Sequence, residues 1–224
     1  MKNIGLRFAA VLFIVLSSLT AAQAQAPRRV YRYDARGPEE IFANGFVRDP
    51  FKSRNLALQV QHDATYTSSA FISTTSRLDY AIRYANGWIA NFNPQQTTYW
   101  IYEIVPGPNF VDVAASYRET VAAMEPGYAR TQLDEEENTY TREFEYAAIA
   151  LIETQRIVRA TQYNVNGGAP IVEENLLYQP NLTPEIRPGY YPLGYFSRRL
   201  HRICPWCGGG WCAGGWHVGR LCLP

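Results

Sequence analysis

The sequence predicts an α+β protein, and three observations carry that expectation. Short segments rich in aromatic and β-branched residues recur along the chain and read as strands. Short helical patterns lie between them without the regular strand-helix alternation that a doubly wound sheet requires. Neither common glycine-rich phosphate loop occurs, so nucleotide binding by a Rossmann or Walker route is unsupported.

The chain has 224 residues, 47% of them hydrophobic and 14% aromatic, which suits one globular domain with an ordinary core. The first 24 residues stand apart. Lys2 and Arg7 give a positive start, Phe8 to Leu19 form an apolar run, and Ala22-Gln23-Ala24 makes a small-x-small cleavage site, so a signal peptide and secretion are expected. The run is shorter than the roughly 20 residues that span a bilayer. Removing Lys2 and Arg7 from 21 basic residues leaves 19 against 20 acidic ones, a balance that gives no support to a nucleic-acid surface.

In chain order, "RVYRYD" (29 to 34) reads as a strand. "PEEIFANG" reads as a short helix, with Pro38 in its first turn, acids beside the positive helix end and Gly45 just past its last residue. "AFISTT" (70 to 75) is a strand ending in hydroxyls. "SRLDYAIRYANGWIANF" is a helix with Leu78, Ala81, Ile82 and Ala85 on one face and Ser76 as N-cap. "TTYWIYEIV" (97 to 105) is a strand, "DVAASYRETVAAM" a helix and "DEEEN" an acidic loop. "FEYAAIALI" starts a further strand, and "IVRATQYNVNGGAPIVEE" a hairpin turning at Asn166-Gly167. From Tyr178 prolines recur, and the chain is expected to become a linker or wrap. The expected organisation is therefore a signal peptide over 1 to 24, a folded domain over 25 to 177 and a proline-rich linker with a Cys/Gly/Trp-rich C-terminal tail over 178 to 224.

All four cysteines, Cys204, Cys207, Cys212 and Cys222, crowd into the last 21 residues, "CPWCGGGWCAGGWHVGRLCLP". In an oxidising compartment the simplest reading is two disulfides, whose pairing the sequence leaves open. Zinc on these cysteines with His217 is the rival, but the spacing matches no strong zinc pattern, and no metal is expected.

"REFEY" (142 to 146) places Glu143 and Glu145 at the mouth of an apolar segment. If 143 to 152 is a strand, both carboxylates project to one side while Phe144 points into packing. Their Cβ atoms would then lie about 6 to 7 Å apart, close enough to act on one substrate and to raise at least one pKa. A solvent-facing strand end is the alternative.

Three separated stretches in order, "VYRYDARGPEEIFANGF" (30 to 46), "AFISTTS" (70 to 76) and "EYAAIALIETQRIVRAT" (145 to 161), resemble the A subunits of secreted bacterial mono-ADP-ribosyltransferase toxins of the pertussis and cholera kind. The resemblance covers roughly residues 29 to 166. It implies a mixed fold of two small β-sheets with flanking short helices around an NAD cleft. It also implies a secreted enzyme that moves ADP-ribose from NAD to an arginine of a host protein and releases nicotinamide. NAD is the substrate, and the binding subunit of an AB-type toxin is an implied partner; no membrane anchor and no nucleic-acid partner are expected. Secretion would pass through the periplasm in a Gram-negative source, with action inside the host cell.

Residue by residue, the resemblance assigns Arg32 to the NAD-holding arginine, whose planar fork suits phosphate and carboxyl oxygens. Asp34 and Arg36 fall beside the adenosine half. Ser73 orients the catalytic glutamate, and Tyr80 and Tyr84 flank the nicotinamide, sharing a helical face. Glu145 matches the catalytic glutamate, which stabilises positive charge developing on the ribose. Glu143 completes the Glu-x-Glu form that goes with arginine as acceptor, since a carboxylate can pair with a guanidinium and help remove its proton. His62 is the candidate for a histidine that the family often carries between the arginine and serine strands, with Gln59 as the alternative. The chain lacks the cysteine that pertussis-like subunits carry in the enzymatic half, and its tail does not read as a long threading helix. A secreted binding protein on the same scaffold, without turnover and acting through its Cys/Trp tail, is the second function class.

Overall fold

A computed structural model describes residues 26–62 and 68–193. The expected signal peptide and the cysteine-tryptophan tail lie outside the described residues.

The strands are β1 (Val30–Asp34), β2 (Phe46–Val47), β3 (Phe71–Thr75), β4 (Thr98–Ile104), β5 (Phe110–Asp112), β6 (Glu145–Ile149), β7 (Leu151–Ile152), β8 (Ile157–Asn164) and β9 (Ile171–Glu174). The helices are α1 (Pro38–Asn44), α2 (Leu56–His62), α3 (Leu78–Phe92), α4 (Val113–Ala122) and α5 (Tyr128–Glu143). The class is α+β, as expected. Seven strands form one antiparallel sheet in the order β5-β6-β3-β1-β4-β8-β9, and β2 pairs with β7 in a small second sheet.

The large sheet is nearly two sheets. β1 follows β4 along its whole length, from Val30↔Ile104 to Asp34↔Trp100, whereas it meets β3 only at Tyr31↔Thr75. β3 in turn pairs fully with β6, from Phe71↔Ile149 to Thr75↔Glu145. The ladder therefore opens between β1 and β3 and leaves a cleft.

Each half has its own packing. Ala81, Ala85 and Ile89 of α3 bury against Tyr99 and Ile101 of β4, with Tyr31 and Tyr33 alongside. On the β3 half, Leu56, Ala57 and Val60 of α2 pack with Phe71, with Val113, Tyr117 and Val121 of α4, and with Leu133 of α5. A third cluster, including Val30, Ile41, Phe46, Ile72 and Tyr102, binds the two halves to the small sheet. Among the described residues no helix is long and apolar enough to cross a membrane.

Local chemistry accounts for several boundaries. Pro38 starts α1 where no backbone donor is needed, and Gly45 ends it at φ 70 with its nitrogen donating to the Ile41 carbonyl. A side chain there would sit 2.3 Å from the Ile152 carbonyl oxygen, so this glycine also permits the close approach of β7. Asp112 caps α4 by accepting from the Ala115 amide. The β8-β9 hairpin turns where expected, with Gly167 at φ 85.

Four expectations need correction. "DEEEN" is helical: it lies inside α5, whose Leu133 is buried against α4, so tertiary packing overrides the polar character of the stretch. The N-cap of α3 is Arg77, not Ser76, because the Ser76 amide is taken by the Phe144 carbonyl and the helical dihedrals begin one residue later. Leu78, expected on the buried face, is the first residue of the helix and is 38% exposed, while Ala81 and Ala85 of that face are buried. The strand expected over 143 to 152 begins only at Glu145 and is interrupted at Ala150, which has φ 64 and splits it into β6 and β7.

From Gln179 to Leu193 the chain runs over the body without regular structure. The Glu185 amide donates to the Pro106 carbonyl and the Arg187 amide to the Phe110 carbonyl at 2.7 Å. Leu193 enters the α2-α4-α5 core, and its carbonyl accepts from the Ala57 amide in the first turn of α2.

Candidate active site

The opening between β1 and β3 is a cleft of about 330 Å³. Its floor and walls include Arg32 and Asp34 from β1, Ser73, Thr74 and Thr75 from β3, Tyr80, Tyr84 and Trp88 from α3, and Glu143 and Glu145. Seven of the nine residues singled out in the sequence meet here.

Glu145 opens β6, paired with Thr75, and is 9% exposed. Glu143 reaches the same cleft by a different route from the one expected. It is the last residue of α5, and Phe144 then turns left-handed, at φ 52 and ψ 41, before β6 begins. Strand alternation therefore does not operate across this pair. Phe144 is half exposed rather than packed inward, and Arg77 lies over its ring at 5.0 Å. The turn is fastened by β3: Thr75 Oγ1 donates to the Glu143 carbonyl at 2.7 Å, and the Ser76 amide donates to the Phe144 carbonyl at 3.0 Å. The Thr75 hydroxyl and the Ser76 amide thus fasten the backbone that carries both glutamates.

Arg32 spans the opening. Its Nη1 donates to the Ser73 carbonyl at 2.8 Å, Nη2 lies 3.6 Å from Asp34 Oδ2, and the guanidinium stacks over Phe46. Its Nε is buried without a hydrogen-bond partner. Asp34 is gripped by Arg36, with Nε to Oδ1 at 2.9 Å and Nη2 to Oδ2 at 3.0 Å. Burial pushes the Asp34 carboxyl up, but the Arg36 hydrogen bonds and the charge of Arg32 outweigh it and hold the group below the usual carboxylate range. Arg36 itself does not line the cleft. The strand ends at Asp34, so alternation no longer fixes the direction of residue 36, which clamps Asp34 and Glu40 from outside.

Gln59, in α2, is 4% exposed and donates from Nε2 to Ser73 Oγ at 3.0 Å. Gln59 is the alternative to His62 for the histidine position that the resemblance implies. His62 ends the same helix, and its side chain lies outside the described residues.

Arg48 and Trp88 line the cleft without having been singled out. Arg48 follows the two-residue strand β2, too short to leave a periodic signal. Its guanidinium has no ion pair among the described residues, and burial, then repulsion from Arg32 and Arg36, lowers its pKa. Trp88 was legible in principle, because it continues the four-residue spacing of Tyr80 and Tyr84. Among the described residues no cluster of three or more His, Cys, Asp or Glu could hold a metal ion.

The arrangement offers two arginines, three aromatic residues along one helix and two glutamates lining one cleft. It can hold an extended phosphorylated ligand with planar ends and stabilise positive charge near Glu145.

Residues 25–124 match the family described as pertussis toxin, subunit 1. No protein with a curated description matches the chain. Among solved structures, EcPltA is 25% identical with a TM-score of 0.59, over 74% of this chain and 95% of that one. The A subunit of heat-labile enterotoxin is 20% identical with a TM-score of 0.53, over 79% and 94%. Nicked CARDS toxin is 22% identical with a TM-score of 0.57 over 75% of this chain, which spans 33% of that toxin's length. The fold is that of the ADP-ribosyltransferase toxins, and the chain is similar to their A subunits.

Proposed function

We propose, from this toxin A-subunit-like fold, that the protein is a secreted mono-ADP-ribosyltransferase acting on an arginine of a host protein, with NAD as donor. The observation that carries the reading is the convergence of Arg32, Ser73, Glu143 and Glu145 on one cleft. Arg32 and Arg48 are suited to the pyrophosphate, since both guanidinium groups line the cleft and repel one another until an anion lies between them.

Gln59 fixes the Ser73 hydroxyl, and Arg32 fixes the Ser73 backbone. Ser73 is in this reading a positioning residue for the ribose and for Glu145. The Glu145 carboxylate hydrogen-bonds the ribose 2′-hydroxyl and stabilises positive charge as the C1′–N bond to nicotinamide breaks, with that bond's electron pair leaving on nicotinamide. Glu143 pairs with the incoming guanidinium and accepts its proton as the new C1′–N bond forms. The products are an ADP-ribosylated arginine, nicotinamide and one proton. Oxidised tail cysteines and passage through a secretory route belong to the same proposal and rest on the sequence alone.

The test is to incubate purified residues 25–224 with labelled NAD and a host-cell lysate. Label on protein arginine, located by mass spectrometry, is the expected result. Label on cysteine, asparagine or a nucleobase would overturn the arginine assignment, and no turnover of NAD would favour a binding protein.

A further inference from the structure

Helix α3 carries an aromatic residue on every fourth position, Tyr80, Tyr84, Trp88 and Phe92, so a single stripe of rings runs along one face. The first three line the cleft. Phe92, 53% exposed, backs the third, its ring centroid 4.3 Å from that of Trp88 at an interplanar angle of 33°.

The topology gives the stripe a direction. Glu145 is paired with Thr75, the last residue of β3, and Thr75 opposes Tyr31 on β1. β1 runs from Tyr31 towards Asp34, away from Glu145. α3 leaves the Thr75 end and packs along β1, with Tyr84 6.4 Å from Tyr33, the neighbour of Asp34. Trp88 is one turn further on and therefore lies at the Asp34 end of the cleft. From Tyr80 to Trp88 the helix rises about 12 Å. Glu145 at the Tyr31–Thr75 rung, then Arg32 with Ser73, then Asp34 succeed one another along the cleft, and Trp88 follows on the helix beyond Tyr84.

We propose that Trp88, backed by Phe92, is the stacking platform for the adenine base of the dinucleotide. The inference rests on the NAD reading above and adds a subsite to it. The base is the planar, uncharged end of a ligand whose anionic middle falls beside the two arginines, and an indole face suits it. The second ring behind Trp88 keeps the indole from turning away when the cleft is empty and so reduces the ordering that binding requires.

The experiment compares NAD with nicotinamide mononucleotide, which lacks the adenosine half, as substrates for hydrolysis. In Trp88→Ala the ratio of kcat/KM for NAD to that for the mononucleotide falls about tenfold, chiefly through KM for NAD, and Trp88→Phe restores most of it. Calorimetric titration with AMP provides a readout without turnover: the unmutated protein binds AMP, and Trp88→Ala weakens binding by a similar factor. An unchanged ratio, or equal losses on both substrates, overturns the platform. AMP binding that depends on Trp88 in a protein that never hydrolyses NAD supports the platform while removing the proposed reaction. AMP binding indifferent to Trp88 removes the platform alone.

Discussion

Arg32 Nη1 donates to the Ser73 carbonyl at 2.8 Å, across a part of the sheet where β1 and β3 have already parted. A side chain has taken over the role of a missing rung of the ladder. The same residue lines the cleft, so one group closes the backbone and brings charge to the site. Lysine cannot do both, having one compact ammonium where arginine has a planar fork. Arg32→Lys is expected to lose roughly 2 kcal/mol of folding stability and about tenfold or more in NAD hydrolysis. Chemical denaturation and a glycohydrolase assay on the same preparation check both.

Glu145→Gln should abolish NAD hydrolysis and transfer together while the melting temperature holds. Losing a carboxylate aimed at developing positive charge costs on the order of a hundredfold or more in rate. Near-normal turnover by the folded variant would remove Glu145 from the mechanism.

The two carboxylates stand on different elements, the end of α5 and the start of β6, which makes their roles separable. Glu143→Gln should spare most hydrolysis by water and suppress transfer to arginine or to small guanidino compounds. Equal loss of both reactions, with a shared shift in their pH dependence, would show instead that the pair acts as one coupled acid.

Gln59 holds the Ser73 hydroxyl by a neutral amide. Gln59→Ala is expected to lower kcat by about tenfold at a stability cost of about 1 kcal/mol. Gln59→His should restore part of the rate and introduce a dependence on pH around 6 to 7 that the unmutated protein lacks at this position. A flat profile in the histidine variant would place the side chain outside the reaction's reach.

Asp34 makes the acid limb of stability predictable. Its folded pKa is depressed by Arg36 and Arg32, so its contribution is fully present above the unfolded carboxylate value of about 3.9 and is lost as pH falls through the folded value. The melting temperature of the unmutated protein should therefore exceed that of Asp34→Asn at neutral pH, and the gap should close below about pH 4. A gap that does not narrow as the pH falls below about 4 would mean that the asparagine disturbs packing rather than charge.

The central strands were legible because "YRYD", "FISTT" and "TYWIYEI" combine β-branched and aromatic residues with clear turn signals. Arg32, Ser73 and Glu145 were picked out by their place in three ordered motifs, and Tyr80 and Tyr84 by the resemblance and their four-residue spacing on one helix. The route of Glu143 into the cleft was not legible, because it depends on Phe144 adopting a left-handed conformation that costs a bulky residue energy and is held by Thr75 and Ser76 from another strand. α5 was missed for a related reason: its acidic run is helical through contact with α4, which no local pattern reports. The short strands β2 and β7, two residues each, fall below the length at which alternation can be seen. Arg48 went with them.

The single rung at Tyr31↔Thr75 has a thermodynamic consequence. Two half-sheets that meet at one rung share few backbone bonds directly, so a ligand that touches Arg32 on one half and Glu145 on the other adds cross-links at the weakest part of the ladder. By linkage its binding energy becomes resistance to opening there, and the amide hydrogens of β1 and β3 should slow in exchange with solvent more than those of β8 and β9 once substrate is bound.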